Sequence, residues 1–167
     1  MKAEIGNIIE FKKAVLDFAN QFEICCLLDS NQHQDKYGKF EFLAAFGTKN
    51  IIEIETNSFD AFQKLQKFKK DHAGWIFGGF SYDLKNEIED LSSKNLNSLE
   101  FPNLFFFAPK HIIIVKNNEL EIISESAKEI YKILSESIRI EENTEILLPK
   151  INCRFSKEEY VQTIAAI

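Results

Sequence analysis

Side chains able to do chemistry are sparse in this sequence. His33, His72 and His111 lack any cysteine, histidine or carboxylate at metal-ligand spacing, and read as surface or loop residues. Cys25 and Cys26 are adjacent within an apolar run rather than spaced as Cys-x-x-Cys, so they read as small buried hydrophobes. No Gly-x-Gly-x-x-Gly or Walker sequence occurs. Glu141-Glu142 fits a solvated turn. One stretch stands out: 74–91 holds the sole tryptophan, Trp75, and three of the six glycines. Its first part, 75–80, is apolar enough to predict a strand buried on both faces, with Trp75, Phe77 and Phe80 in or beside the core. Gly78 and Gly79 would leave room for a neighbouring backbone or aromatic ring. Asp83 could then cap a short helix with Glu87 near its start.

Around this stretch the hydrophobic periods lay out an α+β chain. Ile8, Ile9, Phe11, Val15, Leu16, Phe18, Ala19 and Phe22 form a helical stripe, with Lys12, Lys13 and Asp17 on the other side. Residues 23–28 read as a short buried strand. Segments 39–46 and 51–55 read as two strands joined by a hairpin turn at Gly47-Thr48-Lys49-Asn50. Ser58 is placed to cap a helix reaching His72, with Phe59, Phe62, Leu65 and Phe68 buried. After a polar loop at 92–99, strands follow at 105–107, 112–115 and 120–123, the last two joined at Asn117-Asn118. A helix at 127–138 comes next, then irregular chain to 154 with one short strand at 146–148. The expected fold is a mostly antiparallel curved sheet or β-sandwich with helices packed outside.

The bulk properties narrow the class of partner. With 167 residues, 45% hydrophobic and 28% charged, the chain can bury one core, and sixteen phenylalanines predict that the core is aromatic. A net charge of −6 leaves no basic stripe for a nucleic acid. No apolar run approaches the roughly 20 residues of a membrane span. The start lacks the plan of a signal peptide. A reduced, cytoplasmic setting is expected.

Four segments, in order, resemble the amino-terminal region of the chorismate-utilising synthases, the large subunits of aminodeoxychorismate (para-aminobenzoate) and anthranilate synthases. Cys26-Leu27-Leu28-Asp29-Ser30 resembles their Leu-Leu-Glu-Ser element, and Ser30 with Tyr37, Lys39 and Phe40 is similar to the Ser…Tyr-x-Arg-Phe spacing of the para-aminobenzoate branch. The 74–91 stretch resembles a glycine-rich strand followed by Tyr-Asp-Leu…Glu. Residues 101–109 are like the family's Pro-Asp-x-x-Phe segment, and Ser156-Lys157-Glu158-Glu159-Tyr160 is similar to the Ser-x-Glu-x-Tyr that opens the catalytic domain.

The resemblance implies an amino-terminal domain at 1–154 and the start of a catalytic domain at 155–167. It places chorismate, Mg2+ and all catalytic residues outside this chain, and it implies a glutaminase partner supplying ammonia. The para-aminobenzoate branch is expected; the alternatives are the anthranilate branch with a tryptophan feedback site, or a stand-alone ligand-binding module. A tryptophan-like ligand would place its ammonium on Asp29 and Ser30 and its carboxylate on Lys39 and Tyr37, with Phe40 beside them. Asp29 is one methylene shorter than the family's glutamate, and Asp29-Ser30 equally fits an Asx-type turn at a strand end. Ser156 and Glu159 have capping-box spacing, with Phe155 and Tyr160 as a hydrophobic staple. The sequence then stops on an apolar residue, which reads as a cut. The helix's stripe of Val161, Ile164 and Ile167 predicts self-association, as a C2 homodimer.

Overall fold

The protein is described by a computed structural model that covers residues 1–31, 33, 36–55, 60–89, 91, 99–138 and 152–166. Ser58, Phe59, Glu141, Glu142, Ile167 and the strand expected at 146–148 lie outside the described residues, as does most of the 92–99 loop. The fold is α+β. A single antiparallel sheet runs β1 (Lys2–Glu4), β6 (Glu119–Ile123), β5 (Leu104–Lys116), β3 (Phe42–Ile54) and β2 (Cys25–Asp29), and β4 (Phe77–Phe80) also pairs with β5.

Two long strands form its centre, β3 (Phe42–Ile54) and β5 (Leu104–Lys116). Each corrects an expectation of two shorter strands. The Gly47–Asn50 segment is not a hairpin turn. Gly47 takes a left-handed φ of 62°, and the register against β5 slips between Thr48↔Pro109 and Asn50↔Ala108. Lys49 is therefore the extra residue of a β-bulge, which bends a strand without reversing it. The Thr48 hydroxyl donates to the Asn50 carbonyl across it, at 3.0 Å. Pro109 lies opposite, and β5 continues through it.

The remaining strands line the two edges of this pair. β2 (Cys25–Asp29) ladders with Phe42–Phe46 at one outer edge of the sheet. It is not the buried strand expected at 23–28: Cys25 is exposed and Cys26 half-buried, so neither is a core cysteine. β6 (Glu119–Ile123) pairs with the second half of β5 through a turn at Asn117 (φ 52°) and Asn118 (φ 62°), as the sequence predicts. β1 (Lys2–Glu4), which sequence reading missed, closes that edge against β6.

Helices α1 (Ile8–Ala19) and α3 (Ala127–Ser137) enclose the principal core. Phe11, Val15, Ile130 and Leu134 meet Phe46, Ile113, Val115, Leu120 and Ile122 there, all nearly or wholly excluded from water. Ile9 and Leu16 of the expected α1 stripe are exposed instead. α2 (Ala61–Asp71) packs on a smaller cluster with Ile54, Leu84 and Leu104. Ala61 and Phe68 form its buried side, whereas Phe62 is exposed. α4 (Lys157–Ala165) begins with the expected capping box: Ser156 N–H donates to the Glu159 carboxylate at 2.8 Å, and Glu159 N–H to the Ser156 hydroxyl at 3.2 Å. No residue of α4 is buried, and Phe155 and Tyr160 of the expected staple are both exposed.

Candidate functional site

The glycine-rich stretch is narrower and wetter than its sequence suggests. The strand β4 is only Phe77–Phe80, and of its residues only Phe77 is buried. Trp75, which precedes the strand, and Phe80, at its end, are 41% and 53% exposed. Gly78 does permit the close approach: a Cβ there would collide with the Phe105 carbonyl oxygen and lie 2.6 Å from Phe106 Cα. At Gly79 a Cβ would meet nothing within 4 Å. The short helix at Tyr82–Glu87 is a 3-10 helix whose N-cap is Ser81, not Asp83; Asp83 instead pairs with Lys85 at 3.1 Å. Glu87 serves another element, accepting the Ala61 N–H at the start of α2 at 3.1 Å. Its carboxylate thereby supplies a capping bond that Asp60, the N-cap of α2, does not make with its own side chain.

β4 carries the second resembling segment directly onto the third. Phe77 pairs with Phe107 and Phe80 with Leu104. Ser81 then donates through its N–H to the Asn103 carbonyl at 2.9 Å, and through its hydroxyl to the Asn103 side chain at 3.2 Å. Asn103 is the one buried polar residue among those described, and this pairing satisfies its side-chain oxygen. The first segment arrives through Phe40, whose ring centroid lies 5.8 Å from that of Trp75. Trp75 stacks on Phe77 at 5.9 Å with rings 13° apart, and Phe77 faces Phe107 at 6.1 Å. A continuous aromatic row therefore links the three segments.

The predicted ligand residues lie at the end of β2 and in the chain between β2 and β3. Asp29 ends β2 opposite Phe42, and the Ser30 N–H extends the ladder to the Glu41 carbonyl at 2.9 Å. Asp29 is already engaged. Lys12 Nζ lies 2.7 Å from its Oδ1, and the Asn31 N–H donates to the same oxygen at 2.8 Å, which is an Asx turn. Partial burial pushes the Asp29 pKa up, but the Lys12 hydrogen bond, the Asn31 N–H and the Lys12 charge outweigh it and hold it below the usual value. Tyr37 is 78% exposed, with the Lys36 ammonium 5.7 Å from its ring centre. Lys39 is exposed and takes part in no ion pair among the described residues. The structure thus gathers Asp29 and Ser30 at a strand end and turns Phe40 onto Trp75.

Sequence reading missed Lys12, assigned there to the solvent side of α1. Its side chain is only 17% exposed, and its ammonium also lies 5.7 Å from the Phe42 ring centre. The available signal was its position beside Phe11 and one turn after Ile8, at the border of the apolar stripe, where a lysine stem can lie on apolar surface. The histidines also need revision. His111 belongs to the central strand, bonded to Ser124 Oγ at 2.7 Å and flanked by the rings of Phe22 and Phe46. Burial, then the charges of Lys110 and Lys49, lower its pKa, and Glu125 opposes them. His72 caps α2, its Nδ1 2.8 Å from the Phe68 carbonyl and its Nε2 3.1 Å from Asn50 Nδ2.

Among the described residues, no three histidine, cysteine or carboxylate side chains are grouped to hold a metal ion, and no helix is long and apolar enough to cross a membrane. Compared with known proteins, the chain matches no family model and no curated protein.

Proposed function

We propose that this chain is the amino-terminal portion of a chorismate-utilising synthase large subunit of the para-aminobenzoate branch, aminodeoxychorismate synthase component I. Its complete form would aminate chorismate in the cytoplasm, with ammonia from a glutaminase subunit, Mg2+ and all catalytic residues belonging to a following domain. The observation that carries the reading is the meeting of three separated segments: β4 lies against the start of β5, and Phe40 rests on Trp75. A chance likeness of short motifs gives no reason for them to be neighbours. The Ser156–Glu159 capping box supports a helix beginning where the resemblance places the next domain. The anthranilate reading, with a tryptophan feedback site, is disfavoured because Lys12 occupies the carboxylate that a ligand ammonium would need.

The test is product analysis. The complete reading frame, supplied with chorismate, ammonia and Mg2+, should form aminodeoxychorismate; anthranilate would move the chain to the other branch, and neither product would refute the family. The 167-residue chain alone should consume no chorismate.

A further inference from the structure

β5 is not evenly covered. On its side away from β3, β4 ladders with Leu104–Phe107 and β6 with Ile112–Lys116, so among the described residues 108–111 have no strand beside them. A cleft of about 530 Å3 opens there, and Ser124, the residue after β6, lines it. Ser124 Oγ lies 2.7 Å from His111 Nδ1, the separation of a nucleophile from its base. The Ser126 N–H, at the start of α3, donates to the same Oγ at 3.0 Å. That bond uses an acceptor position of the hydroxyl, and among the described residues His111 Nδ1 is the acceptor left for its proton. His111 is suited to take it. Its ring is half-buried, 5.6 Å from the centre of Phe22 and 5.4 Å from that of Phe46. Burial, with the charges of Lys110 and Lys49 outweighing Glu125, keeps the imidazole neutral at neutral pH.

We propose that Ser124 is a nucleophile that takes the acyl group of a small carboxylic ester seated in this cleft, with His111 as its general base. Oγ attacks the carbonyl carbon as its proton passes to Nδ1. The bond from that carbon to the leaving alcohol oxygen then breaks, and the proton departs on the alcohol. Water repeats the sequence on the acyl-serine, releasing the carboxylic acid and restoring the hydroxyl. The positive charge that Lys49 and Lys110 place around His111 has the sign that favours the tetrahedral oxyanion. Trp75, Pro109, Ile112 and Ile123 give the cleft an apolar wall, which fits an uncharged acyl chain. The proposal is independent of the synthase reading and uses none of the residues at the end of β2.

The 167-residue chain should hydrolyse p-nitrophenyl butyrate, and a fluorophosphonate, whose serine adduct water does not remove, should block that hydrolysis. Peptide mapping by mass spectrometry should place the adduct on Ser124. Ser124→Ala should abolish both reactions, and His111→Gln should slow both by about a hundredfold, each with unchanged far-ultraviolet dichroism. The unaltered protein supplies a reading that needs no variant. Its rate should rise with pH as His111 loses its proton, below the ordinary histidine value of about 6.5, and then level off. A rate that instead keeps rising in proportion to hydroxide would overturn the proposal. So would an adduct confined to other residues, no adduct at all, or full activity in either variant.

Discussion

At the scale of single residues, the Lys12–Asp29 pair and His111 make opposite uses of partial burial. The pair is partly wet, with Asp29 40% exposed, so its worth is nearer that of a surface ion pair than a buried one. Asp29→Asn keeps a side-chain oxygen for the Asn31 N–H and should cost about 0.5–1 kcal/mol in denaturant unfolding. Because the folded pKa of Asp29 is lowered, the pair's contribution is present above the ordinary carboxylate pKa and is lost as pH falls through the folded value. His111 also loses stability with acid, but in a higher window. Its folded pKa is lowered, so the unfolded chain binds the proton first as pH drops below about 6.5. His111→Gln should flatten the decline of melting temperature between neutral pH and that of weak acid; an unchanged slope would assign the loss to other groups. The capping box at Ser156 and the Asn117-Asn118 turn were legible in the sequence, because each depends only on residues a few places apart. The partners of Asp29 and His111 were not, since Lys12 and Ser124 reach them from other elements.

The elements show the same division between local and distant causes. Turn chemistry is shared by hairpins and bulges, so Gly47-Thr48-Lys49-Asn50 carries the residues of a reversal while the chain runs straight on. What decides between them is β5, which offers β3 a partner over its whole length. Helix boundaries near α1 and α3 follow their apolar periods, but the exposure of Ile9, Leu16 and Phe62 depends on how much neighbouring surface is available to cover them. The glycine pair makes this measurable. Gly78→Ala should destabilise by about 3 kcal/mol, since the new methyl meets the fixed backbone of Phe105 and Phe106. Gly79→Ala, with open space at its Cβ, should stay within about 0.5 kcal/mol. Equal costs in chemical denaturation would show that the close packing of β4 on β5 is not what requires glycine.

For the whole molecule, the α+β class and the antiparallel pairing were readable because alternation and helical period are strong over long segments. The sheet order was not, since β1 pairs Lys2 with Glu121 across most of the chain. The molecule also presents Phe155, Tyr160, Val161 and Ile164 to water on and beside α4, each more than half exposed. Such a stripe favours association, and a patch meeting its own copy closes as a C2 dimer. Sedimentation should show a concentration-dependent dimer that a chain ending at Arg154 does not form. A strictly monomeric protein at high concentration would rule this out.

The uneven covering of β5 should also be visible as a difference in time. Amide hydrogens bonded on both sides of the sheet centre, such as those near Ile113 and Phe106, can exchange with deuterium only when the sheet comes apart. Those of 108–111 that face the gap need no such opening, while β1 and β2 exchange by fraying at the margins. The slowest strand in the protein should therefore contain a fast interval in its own middle, and covering that gap should slow it.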